Sequence, residues 1–102
     1  MVGIMYEQGD ILKVEGIKDP VLVASTNYYN KCGKIIICPI VEEASESVIN
    51  IPIDGDEVEG IVLCDQLKSL DITKRGTKKI DHIDIQARIL IADVIQGLFD
   101  YI

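Results

Sequence analysis

No tryptophan and only one phenylalanine occur in this chain, so any core it builds has to be aliphatic. Isoleucine and valine dominate an apolar fraction of 48%, and β-branched side chains suit pleated, half-buried surfaces. A bilayer-spanning apolar run is missing, as is the charged start and long apolar stretch of a secretory leader. The three cysteines, Cys32, Cys38 and Cys64, are odd in number and lack Cys-x-x-Cys spacing. Neither a zinc site nor a disulfide framework is therefore indicated, and no metal or other cofactor is expected. Cys38 and Cys64 lie in apolar runs and read as small core hydrophobes, which fits a reducing cytoplasm. No internal repeat, linker or low-complexity stretch divides the 102 residues, enough for one small domain over 1–102.

Positive charge is scarce too. Ten Lys and Arg stand against seventeen Asp and Glu, a net charge of −7. Indiscriminate binding to nucleic acid needs the opposite balance. The distribution matters more than the sum. From Val41 to Gly60 there are seven acids and no base, whereas Lys68, Lys74, Arg75, Lys78 and Lys79 follow within a short segment that holds only Asp65 and Asp71. An acidic molecule with one basic loop suits selective contact with RNA or with an acidic partner peptide.

Hydrophobic periodicity predicts strands at Gly9 to Val14, Pro20 to Thr26, Lys34 to Ile40, Ser47 to Ile53 and Glu59 to Asp65, with a short sixth at Ser69 to Ile72. The Lys34 to Ile40 run is continuously apolar and is expected to be buried on both faces. Ile49, Ile51 and Ile53 alternate with polar residues, the pattern of a half-exposed strand. Asn27 to Gly33 reads as a turn with two tyrosines, and Asp54-Gly55-Asp56 as another turn. From about Asp84 the period lengthens. Ile83, Ala87, Leu90, Ile91, Val94, Ile95 and Leu98 recur at helical spacing, with Asp81 or Asp84 as the cap. The fold class is mainly β with a C-terminal helix, a small bent sheet or barrel.

The most informative segment is Gly60 to Lys79, where Gly-Ile-Val-Leu-Cys-Asp-Gln is followed by the basic stretch. It resembles the strand and basic loop of the MazF/PemK (Kid-like) toxins of type II toxin–antitoxin systems. The likeness extends through Gly9-Asp10-Ile11, Pro20 to Val23, Tyr29-Asn30, Cys38-Pro39 and the last helix. It implies an SH3-like barrel, also found in CcdB, and a homodimer. It further implies an antitoxin protein as partner and single-stranded messenger RNA as substrate. Relatives cut that RNA without a metal: the ribose 2′-hydroxyl attacks the adjacent phosphorus, which calls for proton transfer and positive charge beside the phosphoryl oxygens.

Two positions depart from the family pattern. Asp19 precedes Pro20 where the resemblance implies an arginine, and Val41 follows Pro39 by two residues where a Thr or Ser is implied. The Val14 to Asp19 connection is also shorter than the family's first loop. Asp65, which matches an acidic catalytic position of the Kid-like branch, and Lys18, beside the missing arginine, are the catalytic candidates. Lys68, Lys74, Arg75, Lys78 and Lys79 are the RNA-binding candidates. His82 reads as a surface residue, and Tyr28-Tyr29 as either core rim or a stacking surface. Two main readings stay open, beside a small SH3-like module unrelated to toxins, which leaves the Gly60 to Lys79 match unexplained. One is a growth inhibitor that cleaves messenger RNA. The other is a catalytically silent or CcdB-like binding protein that inhibits a protein target or captures antitoxin.

Overall fold

The computed structural model describes residues 5–99. Its elements run β1 (Asp10–Val14), β2 (Val21–Val23), α1 (Asn27–Asn30), β3 (Lys34–Val41), β4 (Asn50–Asp54), β5 (Glu59–Leu63), β6 (Lys68–Asp71), β7 (Thr77–His82) and α2 (Ile85–Gly97). All strand pairings are antiparallel, in the order β4-β5-β3-β2-β1-β7, with β6 added to β3. This is the mainly β, bent sheet with a terminal helix that the hydrophobic periods predict.

β3 is the hub. Its Ile37, Cys38 and Pro39 pair with β2 along one edge. On the other edge Lys34 to Ile37 pair with β6, and Ile40 and Val41 pair with β5. Alternate residues of β1, β2 and β3 feed two separate cores. Ile11, Leu22, Cys38 and Ile40 join Val62, Cys64, Ile83 and Ile91 on the helix side. Leu12, Val14, Val21, Val23, Ile35 and Ile37 join Tyr6 and Leu70 on the other. Burial on both faces explains why the β3 run carries no polar alternation.

Gly60 stands where β5 meets β3. A Cβ there would lie 2.8 Å from both the Ile40 Cγ2 and the Val41 carbonyl oxygen. The glycine that opens the Gly-to-Gln motif is thus required by strand packing.

Three sequence expectations are corrected. The basic stretch is less of a loop than predicted, because β6 and β7 occupy much of it and only residues 72–76 connect them. β7 escapes detection by period because Thr77, Lys78 and Lys79 give it the charged composition of a protected sheet edge. Ile80 is skipped between the Ile11–Asp81 and Leu12–Lys79 pairs, a bulge that further breaks the alternation. The Asn27 to Gly33 turn contains a short helix, capped by the Thr26 side chain. In α2, Ile91 is buried and Ala87, Val94 and Ile95 pack on the core, whereas Leu90 and Leu98 are exposed.

The capping candidates also separate. Asp84 caps α2, its Oδ1 accepting the Ala87 N–H at 2.8 Å. Asp81 has a different task. Buried beside the β4–β5 turn, its Oδ2 accepts the Glu57 and Val58 amides at 2.7 and 2.8 Å, and its Oδ1 accepts the His82 amide at 2.8 Å. Gly55 allows this approach, since a Cβ there would meet Oδ2 at 2.5 Å.

Burial raises the Asp81 pKa, but the amides of Glu57, Val58, His82 and Asp56 together outweigh it and hold the carboxyl below its ordinary value. Its contribution to stability is complete above the unfolded-state value of about 3.9 and lost as pH falls through the lower folded value. Replacing Asp81 with Ala should cost on the order of 3 kcal/mol in urea unfolding, and Asp81→Asn should flatten the acid limb of stability against pH. An unchanged acid limb would remove Asp81 from that role.

The cysteines give a second prediction. Burial, with lesser contributions from Cys64 and Asp65, pushes Cys38 up to about 12. Burial, then Asp65, pushes Cys64 up to about 11. Cys32 is exposed. A thiol reagent at neutral pH should label Cys32 alone in the native protein and all three after denaturation, as read by mass spectrometry.

Candidate functional site

A cleft of about 190 Å³ opens where β3 changes partners, lined by Ile17, Val21, Ile37, Pro39, Gln66 and Lys68. Its origin lies in backbone geometry. The Ile40 N–H points to β2 and bonds the Pro20 carbonyl at 2.9 Å. Successive residues of a strand face opposite edges, so position 39 faces the gap between β6 and β5. Proline has no N–H to leave unsatisfied there. The Cys64 to Leu67 connection passes this gap and starts with a tight turn, the Gln66 N–H bonding the Leu63 carbonyl at 3.1 Å.

Asp65 is exposed on that turn, directly before the lining residue Gln66. Lys18 is exposed in the β1–β2 connection, directly after the lining residue Ile17. The structure thus sets the two catalytic candidates on segments that border one cleft. Asp19 and Val41 flank it as well, Asp19 two residues before Val21 and Val41 two after Pro39. Val41 is part of β3 and pairs with Ile61.

The five basic candidates do not gather in one place. Lys68, opposite Ile37, lines the cleft. Lys74 and Arg75 occupy the 72–76 segment. Lys78 lies on the outer strand β7, opposite Lys13. Lys79 is tied at 3.1 Å to Asp10, a buried carboxylate that also accepts the Glu7 amide at 2.9 Å. That pair ties β1 to β7 and engages the ammonium structurally. His82 is exposed, as expected.

Sequence reasoning missed the apolar part of the cleft. Ile17, Val21 and Ile37 carry no chemical signal in a sequence, and only the partner change of β3 reveals that they share a surface. Among the described residues no group of His, Cys, Asp and Glu could hold a metal ion. No helix of the described residues is long and apolar enough to cross a membrane.

Comparison with known proteins agrees with this architecture. The endoribonuclease toxin ChpB of Escherichia coli (strain K12) is 29% identical over 89% of this chain and 95% of its own. MazF in a MazE–MazF crystal structure from Deinococcus radiodurans superposes with a TM-score of 0.84 at 21% identity, covering 98% of this chain and 100% of that one. An endoribonuclease from Mycobacterial species gives 0.80 at 12% identity over 92% and 90%. At such identities the superpositions establish a shared fold. Family membership rests on the sequence itself: residues 7–99 match the PemK-like, MazF-like toxins, and the chain belongs to that family of type II toxin–antitoxin systems.

Proposed function

We propose that this protein is the cytoplasmic toxin half of a toxin–antitoxin pair and inhibits growth by binding and cutting messenger RNA in the β3 cleft, without a metal. The observation that supports this reading is an apolar cleft lined by Gln66 and Lys68 on one side and Ile17 on the other, with Asp65 directly before Gln66 and Lys18 directly after Ile17 in the chain. Asp65 takes the proton of the ribose 2′-hydroxyl as that oxygen attacks phosphorus. The bond to the 5′-oxygen breaks, and the Lys18 ammonium supplies the proton to the departing oxygen. Lys68 offsets charge on the phosphoryl oxygens. ChpB is named an endoribonuclease toxin, and the structural relatives include toxins held by antitoxins, which supports an antitoxin partner. The exposed Ile85, Ile89 and Phe99 of the last helix and its exit supply apolar surface for a homodimer.

A second reading, a silent barrel that captures antitoxin or blocks a protein target, is favoured by Asp19 and Val41. A carboxylate at the rim repels a phosphodiester, and an isopropyl group donates no hydrogen bond. One assay separates the two. Incubated with long unstructured RNA and no magnesium, the protein should leave cyclic-phosphate ends, and Asp65→Asn should slow cleavage by at least ~100-fold. Intact RNA, together with cutting restored in Asp19→Arg/Val41→Thr, would establish the silent reading instead. In binding measurements, Lys68→Ala should lower the salt slope by about one unit. Lys79→Met should leave that slope unchanged and reduce only stability, because its partner is Asp10.

A further inference from the structure

A second surface lies at the other end of β3, away from the cleft. Tyr28 on α1 is 83% exposed, and Tyr29, Lys31 and Cys32 complete an open depression of about 450 Å³ around it. Tyrosines at strand ends ordinarily fill the rim of a core, and this one does not. Its backbone is nevertheless held firmly. The buried Asn30 donates from Nδ2 to the Tyr6 and Ser25 carbonyls at 3.1 and 3.3 Å, and Thr26 caps the helix. The Lys31 ammonium lies 5.8 Å from the Tyr28 ring centroid. A solvated aromatic ring on a firmly held backbone, with a cation over one face, leaves its opposite face as a stacking surface.

The surroundings supply charge of the matching sign. The exit of α1 touches the segment that leaves β6, the Ile72 N–H bonding the Gly33 carbonyl at 3.2 Å. Lys34 there is the register partner of Asp71, a carboxylate whose Oδ1 accepts the Thr73 amide and hydroxyl, so one negative charge stands among Lys34, Lys74 and Arg75. From that point Lys74 and Arg75 lead toward Gly76, whose carbonyl accepts the Glu15 N–H at 2.8 Å, two residues before the cleft residue Ile17. The 72–76 segment therefore connects the Tyr28 end of the molecule to the cleft end and carries two bases on the way. β6 connects them too, from Lys68 opposite Ile37 to Asp71 opposite Lys34. Four β3 residues separate Ile37 from Lys34 inclusive, roughly 10 Å of strand.

We propose that Tyr28, with Lys31, is a platform for an unpaired nucleobase of the same RNA strand that occupies the cleft, its phosphates held on the way by Lys34, Lys74 and Arg75. This rests on the RNA reading of the cleft. The platform binds bases by their faces and so extends affinity and reach without specifying sequence. Acidic polypeptide is the competing occupant, since the same bases would attract it. The aromatic ring, which a carboxylate does not need, favours the nucleobase.

The test uses the full chain and 2′-O-methyl oligoadenylates, which resist cutting, in fluorescence anisotropy titrations. A dodecamer should lose about tenfold in affinity with Tyr28→Ala and regain it with Tyr28→Phe, because the ring and not the hydroxyl stacks. A dinucleotide, whose single phosphodiester step cannot bridge the platform and the cleft, should bind wild type and Tyr28→Ala alike, and Lys68→Ala should weaken both oligomers. Equal dodecamer affinity in wild type and Tyr28→Ala, with Lys68→Ala still weakened, overturns the platform and leaves the cleft reading standing. A loss that Tyr28→Phe fails to restore also overturns it. So does a Tyr28→Ala defect confined to poly-glutamate binding. Absence of wild-type binding to either RNA overturns the cleft reading and this proposal together.

Discussion

Everything functional in this molecule follows from a constraint on one edge of β3. Hydrogen bonding to β6 ends at Ile37 and hydrogen bonding to β5 begins at Ile40. A strand that loses a neighbour exposes backbone groups, and such groups are costly when they are neither paired nor solvated. Proline at position 39 removes the donor at the break. The gap then becomes a usable concavity, walled by aliphatic side chains and edged by the Asp65-Gln66 turn. Gly60 secures the far side of the same break, because only hydrogen fits between β5 and the Ile40 side chain and Val41 carbonyl. The Cys-Pro and Gly-to-Gln motifs are two halves of one piece of sheet geometry.

Charge is arranged around that break and not spread evenly. On the β4–β5 side, Glu42 and Glu59 border a shallow depression with Ile53 and Ile61. On the β6 side, Lys68 and the 72–76 segment carry bases. A polyanion approaching the cleft therefore meets attraction from one side and repulsion from the other, which would orient it before contact. The net negative charge of the chain and an RNA-directed reading are compatible for this reason. Asp19 works against the attraction locally, and its position beside the cleft is the clearest point of tension between sequence and family chemistry.

The fold was legible wherever burial controls residue choice. The apolar run of β3, the Ile49-Ile51-Ile53 alternation and the Asp84-capped helix each state their structure directly, because hydrophobic period and capping are local. β7 was not legible. A strand at the outer edge needs lysines to discourage further pairing, and lysines in a row read as a loop. Asp81 was misread for a related reason: a carboxylate before a helix is an ordinary cap, and nothing local reveals that a turn more than twenty residues earlier needs it. At the cleft, Lys68 is legible from its charge in the basic stretch, whereas Asp65 and Lys18, suggested by the resemblance, stand beside lining residues in the chain. Their aliphatic neighbours emerge only when strands distant in sequence come together.

The pairing of β1 with β7 spans most of the sequence and so bears on the order in which the sheet forms during synthesis. Tyr6 bonds Thr77 across 71 positions, and Asp10 meets Lys79 nearby. While a ribosome is still extending the polypeptide, β1 has no partner on that flank until the last quarter emerges. Every residue that lines the β3 cleft, from Ile17 to Lys68, is made before β7, so the cleft's walls precede the strand that closes the β1 flank of the sheet.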